Sequence, residues 1–281
     1  MKIEKIDLKS SDAPKKLVSS LRETGFAIIT NHGVRSEALD RVYASWANYF
    51  SSEEKFKDTF AADRQEGYYP MKTENAKGYD KKDLKEFFHL YPHMSLMLKK
   101  RHDPKGTWHI YDKLNDLGLD LLEMIDGHSF VDGKSRFSQP LHSMAMNSSQ
   151  TLLRILHYPP LGPDDEDGAV RAAAHEDINL ITLLPAATYP GLQVLGPNGE
   201  WFMADTDPNS IIVNSGDMLQ EASGGYFKST THRVINPIGE GATISRYSMP
   251  IFIHPYPNVR LSEKYTAGEY LDERLRELGL K

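Results

Sequence analysis

The chain reads as an α+β protein in which helices come first, an antiparallel β-barrel of the jelly-roll kind follows, and one helix closes the sequence. Three observations predict this order. Apolar residues recur at helical spacing in the first half of the chain. Beyond residue 150, short apolar runs alternate with turn residues at the spacing of an all-β barrel. No repeat, low-complexity tract or Pro/Gly/Ser linker separates the parts. Residues 1–110, 148–256 and 257–281 are therefore expected to form an N-terminal region, a barrel core and a C-terminal helix of one functional unit.

Taken in order, Ser10-Ser11-Asp12 precedes an apolar pattern from Ala13 to Leu21, a capped helix start with Pro14 in its first turn. Gly25 to Asn31 is short and apolar and ends in Asn31-His32-Gly33, which predicts a buried strand and a turn. Ser36 to Phe50 returns to helical periodicity, with Leu39, Val42, Trp46 and Phe50 on one stripe. Gly and Pro break residues 63 to 106 into pieces, among which only Asp83 to Tyr91 forms an apolar cluster. Tyr111 to Met124 is helical in pattern although Gly118 interrupts it, at a cost of about 1 kcal/mol relative to Ala. Strand-like runs follow at Thr151–Tyr158, Asn179–Leu184, Leu192–Leu195, Trp201–Asp205, Ser210–Asn214, His232–Asn236 and Ser245–Ile253. Between the third and fourth, Asn198-Gly199 marks a hairpin, while Ser215-Gly216-Asp217 reads as a further turn. Thr266 to Leu278 closes the chain with a helix.

Composition narrows the function. With 281 residues, 40% hydrophobic and 26% charged, the chain has the make-up of a folded globular protein. It contains no cysteine, which excludes disulfides, thiolate metal sites, Fe–S clusters and cysteine nucleophiles. Any metal must be held by His and carboxylate. A net charge of −6 makes nucleic acid a poor partner. No apolar run is long enough to span a membrane, and the first residues lack the apolar stretch of a signal peptide. A cytoplasmic enzyme acting on a small molecule is the expectation, with oligomeric state unread.

The most informative triplet is His175-Glu176-Asp177. On an extended segment His175 and Asp177 point to one face, and imidazole with carboxylate suits Fe(II), Mn(II) or Zn(II). Alone, such a triplet is equally a surface His beside an Asp. His232 lies fifty-five positions beyond Asp177, with strand runs between, and an antiparallel barrel can return it to the first two. Two His and one carboxylate would form a facial triad with coordination positions left open. Arg246 and Ser248 form a second same-face pair, a fork and a hydroxyl that match a small carboxylate. The competing role for Arg246 is a strand-edge ion pair, although its apolar flanks favour burial.

These residues fall in blocks that resemble the Fe(II)/2-oxoglutarate-dependent dioxygenases, in their isopenicillin N synthase-like (iron/ascorbate-dependent oxidoreductase) branch. The blocks are Ala174–Leu184, Gly191-Leu192-Gln193-Val194, Asn214–Leu219, Ser229–Val234 and Arg246-Tyr247-Ser248, in that order. Thr24-Gly25-Phe26, Thr30–Val34, Gly67-Tyr68 and Asp83–Glu86 are similar to the branch's N-terminal region, so the likeness covers most of the chain. The resemblance implies a double-stranded β-helix core, with His175, Asp177 and His232 as iron ligands. It implies that Arg246 and Ser248 hold the distal carboxylate of 2-oxoglutarate and that Tyr158 lies beside that cosubstrate. Leu156 stands where relatives often have Asn, and Gly239-Glu240-Gly241 suggests a longer hairpin turn.

The implied reaction couples O2 and oxidative decarboxylation of 2-oxoglutarate to hydroxylation, desaturation or ring closure of a small organic metabolite. Ascorbate is a candidate reductant, and no catalytic side chain beyond the metal centre is implied. Two other readings stay open: an iron oxidase that does not use 2-oxoglutarate, and a non-catalytic metal- or ligand-binding barrel. Residues 67–92, rich in Tyr, Phe and Lys, are expected either to cover the iron mouth as a substrate-selecting lid or to pack as ordinary core.

Overall fold

Helix α1 (Ala13–Thr24) begins where the Asp12 signal predicts, with Pro in its first turn, and buries Leu17, Val18 and Leu21. Helix α2 (Ser36–Phe50) buries the predicted stripe of Leu39, Val42, Trp46 and Phe50. Helix α3 (Thr107–Gly127) extends beyond the predicted Tyr111–Met124 at both ends, and the short α4 (Leu141–Ala145) follows it. These elements come from a computed structural model that describes residues 2–60, 65–74, 80–94, 106–163, 165–204 and 207–277. No helix among the described residues is long and apolar enough to cross a membrane.

Among those residues thirteen strands form two sheets. The larger contains β1 (Lys5–Asp7), β2 (Phe26–Thr30), β3 (Gly67–Tyr69), β4 (Glu86–Leu90), β5 (Leu152–Tyr158), β7 (Ile181–Pro185), β10 (Ile211–Ser215), β12 (Arg246–Ser248) and β13 (Ile251–Ile253). Its order is β1-β2-β10-β7-β13-β5-β4-β3, with β12 also paired to β5. The smaller comprises β6 (Ala172–His175), β11 (His232–Val234), β8 (Leu192–Leu195) and β9 (Trp201–Met203), in that order. All pairings are antiparallel except β1 with β2. This is the double-stranded β-helix, with helices added to one face.

The larger sheet is buried on both sides, which explains why its strands read as nearly continuous apolar runs. Ala27, Ile29, Leu153, Ile155, Ile211 and Val213 share a core with the helices. Their alternating neighbours Phe26, Ile28, Leu156, Tyr158 and Ile212 share a second core with Ala172, Leu192, Val194 and Val234 of the smaller sheet. Side chains of this size each contribute about 1.5–3 kcal/mol when fully buried. The space between the sheets is where the candidate site lies.

Several local expectations change. The three-residue strand β1 carries one buried residue, Ile6, too short a pattern to read in sequence. Gly239–Thr243 forms a 3-10 turn rather than a longer hairpin. Ser245–Ile253 divides into β12 and β13, and Ser215-Gly216-Asp217 leads directly into helix α5 (Asp217–Ala222). Within residues 67–92, Gly67–Tyr69 and Glu86–Leu90 are strands of the larger sheet, which supports the core alternative for these two stretches. Tyr68 and Phe88 join the helix-side core, while Tyr69 and Phe87 stack at 4.5 Å in the inter-sheet core. Residues 75–79, which include Lys77 and Tyr79, lie outside the described residues. Asn198-Gly199 does connect β8 to β9.

Gly118 has a packing reason. A Cβ there would sit 2.8 Å from Cγ1 of Ile253 on β13, so the missing side chain lets helix α3 lie close against the sheet. Ala ordinarily stabilises a helix interior by about 1 kcal/mol over Gly. Overpacking a core costs about 1–3 kcal/mol. Gly118→Ala is therefore expected to lower the melting temperature by a few degrees; a higher melting temperature in calorimetry would mean that Ile253 repacks freely.

Candidate metal centre

Strands β6 and β11 pair so that His232 lies directly opposite His175, with a register irregularity before Val234. The two imidazole rings are 4.5 Å apart. Each Nδ1 faces the backbone carbonyl two residues earlier, His175 to Ala173 at 2.7 Å and His232 to Thr230 at 3.1 Å. A carbonyl only accepts, so both Nδ1 atoms donate, and in a neutral ring the lone pair then falls on Nε2.

Asp177 reaches the same point by a route the strand spacing does not give. Strand β6 ends at His175, and Asp177 lies in the irregular segment beyond it. That segment is tied down from α5: the Asp217 amide donates to the Asp177 carbonyl at 2.7 Å and the Met218 amide to Ile178 at 3.2 Å. Gly216 allows the approach, since a Cβ there would lie 2.2 Å from the Asn179 carbonyl oxygen. The carboxylate is oriented by donors from the larger sheet. Thr182 on β7 donates to Oδ2 at 2.6 Å, and Asn214 on β10 does so at 2.8 Å. Asn179 donates to the Thr182 hydroxyl at 3.0 Å, which fixes the direction of the Thr182 bond. Oδ1 remains, 3.9 Å from His175 Nε2 and 3.6 Å from His232 Nε2.

One donor atom from each of the three residues lies within 4.8 Å of the others. Burial, joined by the neighbouring His232, lowers the His175 pKa to about 4, so its imidazole is neutral at ordinary pH. Burial pushes the Asp177 carboxyl up, but His232 and His175, with the Asn214 and Thr182 hydrogen bonds, hold it below the usual carboxylate value. Neutral nitrogen donors with an ionised oxygen donor are what Fe(II), Mn(II) or Zn(II) requires. The His175 side chain keeps 37% exposure against 6% for Asp177, so the cluster opens on the His175 side.

The second group of predicted residues lies on β5 and β12. Arg246 is opposite Tyr158 and Ser248 opposite Leu156. Arg246, Ser248 and Tyr158 are buried, whereas Tyr247 turns away and stacks on His157 at 4.7 Å. Arg246 Nε donates to the Tyr189 carbonyl at 2.8 Å, and its guanidinium is 5.1 Å from the centre of the Tyr158 ring. Its Nη1 is buried and has no hydrogen-bond partner. The inter-sheet core joins this group to the first: Tyr158 and Phe26 both belong to it, and Phe26 meets His232 edge-on at 5.6 Å.

Sequence reasoning missed Arg171, which is fully buried just before β6. The Asn236 side chain accepts its amide at 2.9 Å, and its Nη2 donates to the Ile244 carbonyl at 2.9 Å. Its Nε and Nη1 are buried without partners. The signal was a lone Arg within Ala169-Val170-Arg171-Ala172-Ala173, where a charge needs a designated partner. Thr182 and Asn214 stood inside the quoted motifs without a role. Of the remaining histidines, His89 is buried and hydrogen-bonded to Gln65 and Arg154, while His102 lies outside the described residues.

Comparison with known proteins follows the same division of the chain. Residues 142–255 match the family model of the 2OG-Fe(II) oxygenase superfamily, and residues 3–111 match that of the non-haem dioxygenase in morphine synthesis N-terminal region. A crystal structure of a candidate oxygenase from Shewanella oneidensis is 49% identical, covers 100% of both chains and superposes with a TM-score of 0.88. Gibberellin 2-beta-dioxygenase 3 of Arabidopsis thaliana is 28% identical over 92% of this chain and 76% of its own length. A 2-oxoglutarate-Fe(II) type oxidoreductase of Aspergillus fumigatus is 29% identical over 88% of this chain and 79% of its own.

The geometry around Asp177 makes its two donors testable. Groups that orient a metal-binding side chain typically govern about 10–100-fold in metal affinity. Thr182→Val and Asn214→Ala are each expected to weaken Mn(II) binding, measured by titration against a competing chelator, by about tenfold or more. Unchanged affinity in both variants would mean that the Asp177 carboxylate is oriented by something else.

Proposed function

The chain belongs to the 2OG-Fe(II) oxygenase superfamily, and from that premise we propose that His175, Asp177 and His232 hold its Fe(II) while Arg246, Ser248 and Tyr158 hold 2-oxoglutarate. The enzyme is a 2-oxoglutarate-dependent oxidoreductase. Bound at the three ligands, Fe(II) supplies the chemistry by which O2 converts 2-oxoglutarate to succinate and CO2 and oxidises a C–H bond of the substrate. In hydroxylation, one oxygen atom enters succinate and the other the alcohol. The substrate class we infer is a small organic metabolite.

One observation carries the residue assignment: three metal donors converge in the same inter-sheet space that receives a buried guanidinium with an unpartnered Nη1. The backbone carbonyls of Ala173 and Thr230 keep both imidazoles in the tautomer that offers Nε2. Thr182 and Asn214 occupy Oδ2 of Asp177 and leave Oδ1 available. Three protein ligands leave coordination positions for the cosubstrate and O2. Arg246 and the Ser248 hydroxyl are suited to grip a carboxylate by charge-assisted hydrogen bonds in a site from which water is excluded. An oxidase that dispensed with the cosubstrate would leave that guanidinium nitrogen buried and unused. The N-terminal segment and the barrel work as one unit in this reading, supported by the place of β1 to β4 in the barrel's larger sheet.

Purified protein supplied with Fe(II) should bind about one ion per chain through its facial triad. A screen of amino acids, organic acids and phenolic metabolites for substrate-stimulated succinate formation tests the reaction. His175→Ala and His232→Ala are each expected to abolish turnover, and full succinate formation by an iron-free His232→Ala sample would overturn the ligand assignment. Arg246→Lys keeps the charge but loses the planar fork, so the 2-oxoglutarate concentration for half-maximal rate should rise about tenfold or more. An unaltered requirement would remove Arg246 from the cosubstrate site.

A further inference from the structure

The molecule buries two kinds of cation. Lys85 and Arg154 represent the first. Lys85 Nζ lies 2.8 Å from Asp83 and 2.9 Å from Glu74, and Arg154 Nη1 lies 3.2 Å from Glu74. These charges are balanced where they stand.

Arg171 and Arg246 represent the second. Among the described residues neither forms an ion pair with a carboxylate, and each leaves at least one guanidinium nitrogen buried without a partner. Arg171 donates to the carbonyl of Ile244, two residues before Arg246, and Arg246 donates to the Tyr189 carbonyl and is hydrogen-bonded to the Tyr158 side chain. Burial lowers the pKa of both groups, and Arg246 further lowers that of Arg171, with Tyr158 felt by both. Two desolvated like charges without a counter-ion are costly unless an anion completes them. Leu156, opposite Ser248, contributes no polar atom to that completion.

We propose that Arg171 is a second binding residue for the distal carboxylate of 2-oxoglutarate, shared with Arg246, and that the pair selects a dicarboxylic over a monocarboxylic 2-oxo acid. This rests on the cosubstrate reading above. Arg171 offers Nε and Nη1, and Arg246 offers Nη1, so a carboxylate with its several acceptor sites can satisfy all three. A 2-oxo acid with no distal carboxylate would leave them unmet.

The experiment is anaerobic calorimetry on Fe(II)-loaded protein with 2-oxoglutarate and with 2-oxobutyrate, which lacks the distal carboxylate. Arg171→Met is expected to weaken 2-oxoglutarate binding by about tenfold or more, with 2-oxobutyrate affinity changed less than about twofold. Arg171→Lys, with the charge but not the fork, should fall between wild type and Arg171→Met. Equal losses for both ligands, or no loss for 2-oxoglutarate, would leave Arg171 a structural group and overturn the proposal. If Arg171→Met does not fold, Arg171→Lys reads the same affinity ratio, and an unchanged ratio overturns it. Arg246→Met separates the two levels. A shifted ratio there with none at Arg171 defeats this inference alone, whereas no shift at either position defeats the cosubstrate reading itself.

Discussion

The register that sets His232 opposite His175 is the constraint on which the site depends. Antiparallel pairing brings both imidazoles to one side of the smaller sheet, and each Nδ1 finds the carbonyl two residues back along the chain. The third donor is held differently. Asp177 takes its orientation from Thr182 and Asn214, which belong to the larger sheet. The centre therefore combines nitrogen donors fixed by one sheet with an oxygen donor fixed by the other. It exists only when the sheets are packed, so binding of a cation there is linked to the integrity of the whole barrel.

That linkage accounts for the arrangement of the larger sheet. Helices α1, α2 and α3 cover its outer face, with Trp46, Phe50 and Phe88 among the fully buried side chains. The inner face is then free to carry Tyr158, Arg246 and Ser248. A similar separation occurs at Glu86, whose carboxylate accepts from His157 at 2.7 Å and Lys55 at 2.9 Å and from the Tyr68 hydroxyl. His157 and Tyr247 alternate with Tyr158 and Arg246 along their strands, so this network anchors the reverse side of the same β5–β12 pair. Rigid support on one face holds the polar groups of the other.

Sequence made the strands with continuous apolar runs easy to read, because burial on both faces leaves few alternatives at β2, β5 and β10. It also anticipated that His175, Asp177 and His232 come together, although for a reason only half right: His175 is in a strand and Asp177 is not. What it could not give depended on distant partners. Strand β1 exists because of β2, and β3 and β4 are strands because β5 lies beside them, so an aromatic, Gly-punctuated segment resembled a loop. Gly118 reads as a flaw in a helix until Ile253 is seen against it. Arg171 was marked only as a lone charge in an Ala/Val run. What it lacked was a partner to read, since its full burial is a property of the assembled barrel.

The parallel pairing of β1 has one more consequence. Strand β2 is an unbroken Phe-Ala-Ile-Ile-Thr run. Left at the margin of the sheet, its free amides and carbonyls would be a template for another chain. Strand β1 occupies that margin with only three residues and turns Lys5 and Asp7 to solvent, where Lys5 pairs with Asp207. A short, charged outer strand is a poor site for further addition. A chain shortened past Asp7 would leave the β2 amides and carbonyls at the open margin of the sheet, where another chain could pair with them.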